Sequence, residues 1–237
     1  PAGGQPPGPA GTALVPFVMA WDESLPGPSN IAATLDKPAG RSGFVQARDG
    51  HLWAGKERLR LFGVNMTAAA CFPDHDTARN IAARLARFGV NAVRFHFLDA
   101  TWGEPRLVRY ETGDWNNWNA VALDRLDYFI AALKAEGIYS NLNLLVGRQF
   151  GMNDGVDPSI KAMDWKAAHA IGFFHKPHLE AQKAYARRLL TRLNPYTGLR
   201  YLDDPAIAMV EINNENGLLH TWLGGQFDSL PPVFARD

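Results

Sequence analysis

The chain has 237 residues, 46% of them hydrophobic and 20% charged, which is enough material to bury a sizeable core. Its 24 basic and 24 acidic residues cancel. That balance argues against a nucleic-acid or anionic-membrane surface, and for a substrate that is neutral or not recognised by charge. Cys71 is the only cysteine, so an intrachain disulfide and a cysteine metal cage are excluded. No apolar run of about 18 residues marks a transmembrane helix.

The chain opens Pro1-Ala2-Gly3-Gly4-Gln5-Pro6-Pro7-Gly8-Pro9, and residues 1–43 are rich in Pro, Gly and Ser. This segment reads as an extended arm or linker ahead of a domain over 44–237. No signal peptide is visible. The stretch fits the remnant of one as well as an arbitrary boundary, and a secreted or periplasmic location is the expectation. Val45–Ala47 and Leu52-Trp53, separated by Asp49-Gly50, predict a β-hairpin. Strands are then expected at Leu59–Asn65, Val90–Phe97, Ile138–Leu145 and Ile207–Asn213. Helices are expected at Thr77–Phe88, Leu123–Glu136 and Pro177–Leu193. Asp76 or Thr77 would cap the first helix, with Gly89 and Gly137 as stops and Asn194–Gly198 as a breaker.

Repeated β-then-α units imply an α/β fold with a parallel sheet and helices outside it. Links from helix to strand are short, whereas those from strand to helix, about 98–122 and 146–176, are long. Long loops after the strands are where barrel enzymes keep their sites. A doubly wound sheet shares the local pattern, but no Gly-x-Gly-x-x-Gly follows the first strand.

On the second strand Ala92, Arg94 and His96 share one face and Val93, Phe95 and Phe97 the other. Arg94 and His96 then point inward near the mouth. Arg94 needs an acceptor, either in a site or in a structural ion pair with Glu211. Asn141 and Asn143 share a face on the third strand and either bind sugar hydroxyls or tie strands together; Asn65 closes the first strand in the same way. The fourth strand runs into Glu211, Asn213, Asn214, Glu215 and Asn216. A carboxylate at the end of an apolar strand is expected to have its pKa raised by desolvation, which suits a general acid. Trp102, Trp115, Trp118 and Trp165 lie in the long loops and Trp222 follows Glu215. Flat rings of this kind stack on sugar faces, or build small loop cores of their own. His175 with His178, and Asp74-His75-Asp76, are incomplete as metal sites, so neither a metal nor a cofactor is expected. No Gly-x-Ser-x-Gly elbow is present and Ser140 faces the helices, so a serine esterase is poorly supported.

Leu61-Phe62-Gly63-Val64-Asn65, Gly89-Val90-Asn91-Ala92-Val93-Arg94, Leu193-Asn194-Pro195-Tyr196-Thr197-Gly198 and Val210-Glu211-Ile212-Asn213-Asn214-Glu215-Asn216 carry a family resemblance. Between about Gly43 and Leu219 the chain resembles cellulase-type glycoside hydrolases of family 5 and their clan A relatives. The resemblance implies a (β/α)8 TIM barrel of which about the first four units are present. It implies a retaining mechanism on β-linked glucan or mannan, with Glu215 protonating the glycosidic oxygen and then activating water. Arg94 would position the nucleophile and Asn214 would contact the substrate 2-hydroxyl. Asn65, His96, Asn143, Trp102, Trp115, Trp118 and Trp222 would line the saccharide site. Where many members end the third strand with a histidine, this chain has Asn143-Leu144-Leu145. The family's nucleophile is a glutamate on the seventh strand, beyond the four strands expected here. A second chain or a homo-oligomer is therefore expected to complete the barrel. The alternatives are a half-barrel that self-associates or only binds carbohydrate, and an ester hydrolase using the same cleft.

Overall fold

The computed structural model describes residues 27, 29–112 and 117–236. Most of the expected N-terminal arm, and Trp115, lie outside the described residues. The hairpin forms as expected from β1 (Val45–Arg48) and β2 (His51–Ala54), with Arg48 opposite His51. Asp49 (φ 51°) and Gly50 (φ 71°) both take the left-handed conformation that a two-residue hairpin turn requires. A third strand, β3 (Glu57–Leu59), extends this sheet. Its Glu57 and Arg58 are exposed, so no apolar alternation announced it. Val45, Leu59 and Leu61 pack against Ala39, Tyr139 and Ala206 in a small core at the entry ends of the parallel strands. This corrects the expected strand Leu59–Asn65: Leu59 and Leu61 serve the small core, and β4 begins only at Gly63.

β4 (Gly63–Thr67), β5 (Ala92–His96), β6 (Tyr139–Asn143) and β9 (Ile207–Glu211) form one parallel sheet. They lie side by side in chain order. Sequential order is what a singly wound sheet needs, whereas a doubly wound sheet reverses direction at a switch point. Helices α1 (His75–Arg87), α2 (Ala120–Ala135) and α4 (Lys176–Leu190) fill the crossovers. The cap of α1 is Asp74, whose Oδ1 accepts the Thr77 N–H at 2.8 Å, and not Asp76 or Thr77. Gly137 (φ 82°) ends α2, and a Cβ there would lie 2.9 Å from the Asp36 carbonyl oxygen.

The strands alternate as their sequences require. Val93, Phe95 and Leu142 turn into the main core with Leu126, Phe129, Ile130 and Leu133 of α2, all fully buried. Each such side chain stabilises the fold by about 1.5–3 kcal/mol. The expected break at Asn194–Gly198 is a small hairpin of β7 (Leu193–Asn194) and β8 (Leu199–Arg200). Asn194 Oδ1 accepts the Tyr196 and Thr197 N–H groups at 2.9 and 3.4 Å, which forms the turn.

The two long loops are joined by one buried carboxylate. Asp99 accepts backbone N–H groups from Val146 and Gly147 at 2.9 Å and from Arg148 at 2.8 Å. The second loop has its own core of Leu145, Phe150, Val156, Ile160 and Ile171, closed by Phe234. It carries the short helix α3 (Trp165–Ala170), against which α5 (Leu218–Leu223) packs.

Candidate functional site

Pairing in register stacks the polar residues of the sheet into two rows. Asn65 aligns with Arg94 and Asn141, while Asn143 aligns with Glu211 and Thr67 with His96. The face opposite the helices therefore becomes polar toward the ends of the strands. Arg94 binds Glu211 through both arms, Nε to Oε1 at 2.6 Å and Nη2 to Oε2 at 2.7 Å. Asn141 Nδ2 donates to Oε1 at 2.6 Å and Asn143 Nδ2 to Oε2 at 3.2 Å. Each Glu211 oxygen thus accepts two donors. Hydrogen bonding from Arg94 holds its carboxyl below the usual range, against partial burial. Glu211 is an anchoring anion: the ion pair and the site-lining role considered for Arg94 coexist in one residue.

The anchor continues outward. Arg94 Nη2 also donates to Asn214 Oδ1 at 3.1 Å, which turns the Asn214 amide nitrogen away from the guanidinium. Asn143 Nδ2 also meets His96 Nδ1 at 3.3 Å; with the amide as donor, the proton of a neutral ring sits on Nε2. Burial, and then the neighbouring Arg94 charge, lower the His96 pKa, so this ring is neutral at neutral pH. The amide oxygens of Asn141 and Asn143 meet no donor among the described residues. Asn65 stands exposed at the edge of the row.

Glu215 departs from expectation. Its side chain is 71% exposed, not buried against an apolar strand end. Three residues separate it from the end of β9, and the chain turns outward there, Glu215 itself taking φ 51°. Its carboxylate pairs with Lys166 Nζ at 3.0 Å, and Lys166 also reaches its carbonyl oxygen at 3.3 Å. The pKa is therefore lowered, first by the Lys166 hydrogen bond, rather than raised by desolvation. Replacing Lys166 by Met is expected to move the Glu215 titration upward. A carboxyl 13C NMR titration reads this directly, and an unmoved midpoint would contradict the assignment.

Backbone strain gathers at the same edge. Ala68 (φ 52°) follows β4, Phe97 (φ 57°) follows β5 and Glu215 lies beyond β9. Non-glycine residues in this region are costly and persist where the surroundings over-determine them, commonly at functional sites.

The aromatic candidates separate. Trp102 is 53% exposed, with its ring centroid 5.5 Å from that of Phe97. Trp165 is half exposed on α3. Both line a cavity of about 570 Å³ between the long loops. Trp118 does not. It is a core residue, 8% exposed, because its bridge to Val108 draws it under α4, where it meets Tyr185 and Arg188. Trp222 is exposed on α5 and stands outside the cavity wall. The sequence reading missed Lys166 and His169. Both sit on a six-residue helix, too short to show a periodic signal. Among the described residues no group of three or more His, Cys, Asp or Glu could hold a metal ion.

No protein-family model matches the sequence. No curated protein matches it either. Solved structures do match. An endo-1,4-beta-mannanase from Rhizomucor miehei superposes with a TM-score of 0.56 at 19% identity, over 73% of this chain and 48% of that one. A glycoside hydrolase family 5 mannosidase from the same organism gives 0.56 at 17% identity, over 73% and 49%. That family 5 mannosidase in complex with mannosyl-fructose gives 0.56 at 16% identity, over 74% and 49%. The chain spans about half the length of these proteins. At these identities the likeness is one of fold: an α/β chain with a parallel sheet like that of family 5 barrels.

Proposed function

We propose that the chain carries the acid/base half of a retaining glycosidase acting on β-linked mannan- or glucan-type saccharides. The observation that carries this is the set Arg94–Glu211–Asn214–Glu215, built outward from the ends of β5 and β9 and tied through Lys166 to α3, whose Trp165 walls an aromatic cavity. The mannanase and mannosidase neighbours support the substrate class. In this reading Glu215 protonates the glycosidic oxygen and then takes a proton from water. Asn214, oriented by Arg94, offers its amide N–H groups to the 2-hydroxyl. Lys166 lowers the Glu215 pKa at rest, so the acid step needs a saccharide that displaces Lys166 and excludes water from the carboxyl, which then takes up a proton from solvent. A polymeric substrate of this kind goes with a secreted or periplasmic setting.

The retaining mechanism needs a second carboxylate about 5–5.5 Å from the first. Glu211 has both oxygens committed to donors and is not that group. β4 and β9 are the edges of the sheet among the described residues. Further strands pairing there, from the same polypeptide, a second copy or another chain, would close the barrel and supply the nucleophile. The full commitment of Glu211 favours a second reading as well, in which the chain by itself binds saccharide without cleaving it. Incubation with β-1,4-mannotetraose of the assembly in which further strands close the sheet, with sugar release and binding both followed, separates the two. Turnover that falls by about 10²–10⁴ in Glu215→Gln supports the first reading. Binding without turnover supports the second.

A further inference from the structure

We propose that the cavity between the two long loops is a saccharide subsite in which His169 recognises a hydroxyl of an uncharged sugar ring. The proposal deepens the glycosidase reading and rests on it for the substrate class. The cavity, about 570 Å³, falls within the roughly 300–1,000 Å³ of small-molecule sites. Trp102 and Trp165 present flat rings to it, each about half exposed. Rings left open to water in a concave wall are suited to the apolar face of a sugar.

His169 supplies the polar recognition. It follows Trp165 by one helical turn of α3, with ring centroids 5.0 Å apart. It forms part of the cavity wall, yet only 4% of it is exposed. Its Nδ1 meets no hydrogen-bonding partner among the described residues. A buried polar atom left unpaired is costly, and on a side chain that forms a cavity wall it is satisfied when a turn of the ring brings it to a partner arriving from outside. Burial pushes the His169 pKa down to about 4, with the Lys166 charge adding to the effect, so the ring is neutral. A neutral imidazole nitrogen either donates or accepts, according to tautomer. A hydroxyl does both, and therefore satisfies Nδ1 in either tautomer.

Charge in the wall bears on the choice between neutral and acidic sugars. Among the described residues no carboxylate lines the cavity. Of its cations, Arg148 is buried against Asp154 at 3.0 Å, and Lys161 is exposed. The wall therefore presents two neutral histidines, His169 and His178, an already paired arginine and a lysine at its solvent-exposed rim, and we assign an uncharged ring.

The test uses the whole chain carrying Glu215→Gln, so that hydrolysis does not confuse binding. Calorimetric titration with β-1,4-mannotetraose should show binding that weakens about tenfold in His169→Phe, the equivalent of one lost hydrogen bond. Trp165→Ala removes a half-exposed ring of the cavity wall, and should weaken binding by a similar factor even if His169→Phe does not fold. In the parent chain the His169 ring nitrogen signals should move on titration. Equal affinity in the parent and both variants, no binding, or tighter binding of tetragalacturonate than of mannotetraose would each overturn the proposal. The two claims fail separately. If binding depends on His169 while the otherwise unaltered chain hydrolyses equally well with Glu215→Gln, the subsite stands and the acid/base assignment falls. The converse pattern removes the subsite alone.

Discussion

Acidification from pH 6.5 to 4.5 is expected to cost the fold about 5 kcal/mol through two histidines alone. His169 and His178 are 4% and 1% exposed. Burial holds their pKa values down to about 4 and about 3 respectively, from an ordinary 6.5. Gln182 reinforces the neutral form of His178, its amide lying 2.9 Å from Nδ1. The unfolded chain takes up protons below pH 6.5 that the folded chain refuses. Stability from this source is therefore complete above pH 6.5, falls as the pH drops, and levels off only when the folded rings protonate. Each group contributes about 1.4 kcal/mol per pH unit inside that window. For a chain of this length the loss lowers Tm by roughly 10–20 °C. Because both rings sit in the second loop and its flanking helix, opening of that region should precede global unfolding. Thermal melts at half-unit pH steps give the result, and His178→Leu should remove about one proton from the slope. A Tm that stays flat between pH 7 and 4.5 would show that these rings titrate normally.

Asp127→Ala should destabilise the fold by about 3–5 kcal/mol, the usual cost of removing one partner of a buried ion pair. Asp127 lies on α2 with no exposed surface. Its carboxylate accepts Arg192 Nε at 2.9 Å and Nη2 at 2.5 Å, and the Tyr201 hydroxyl at 2.6 Å. Its own carbonyl oxygen accepts Asn194 Nδ2 at 2.8 Å. One residue thus ties α2 to the end of α4 and to both sides of the β7–β8 hairpin, which leads directly into β9. The alanine leaves a guanidinium and a buried hydroxyl unpaired. Tyr201→Phe removes one neutral donor and should cost about 1 kcal/mol. Urea denaturation of both variants checks the ranking, and a loss below about 1 kcal/mol for Asp127→Ala would show that the network is dispensable.

Much of the fold was legible because it rests on patterns that are local in the chain. Alternation in Val90–Phe97 separates Arg94 and His96 from Val93 and Phe95, and pairing in register keeps them separated. Asp49-Gly50 fixes its turn through two left-handed residues, as the dipeptide requires. The Leu193–Gly198 motif was legible as family resemblance, but its reason, an Asn194 turn bolted to buried Asp127, is a tertiary one.

The misreadings share a physical cause as well. Glu215 was expected to be buried because it follows an apolar strand, yet the strand ends at Glu211 and a left-handed turn carries Glu215 into solvent beside Lys166. Trp118 stands among the expected saccharide-lining rings because its neighbours in sequence are loop residues. Its burial depends on a bridge to Val108 and on the position of α4, neither of which leaves a local mark. Lys166 and His169 are brought to the site by a single short helix inside a long loop, where periodicity has too few residues to speak.

Glu215 as a proton donor is tested most directly by dependence on the leaving group. Aryl β-mannosides with strongly acidic phenols need no proton to depart, whereas those with weakly acidic phenols do. In the assembly that supplies the nucleophile, Glu215→Gln is predicted to leave kcat/KM for a dinitrophenyl mannoside, which reports the first step alone, nearly intact and to lower kcat/KM for a methylphenyl mannoside by about 10²–10⁴. Equal slowing of both, or slowing of neither, would contradict it.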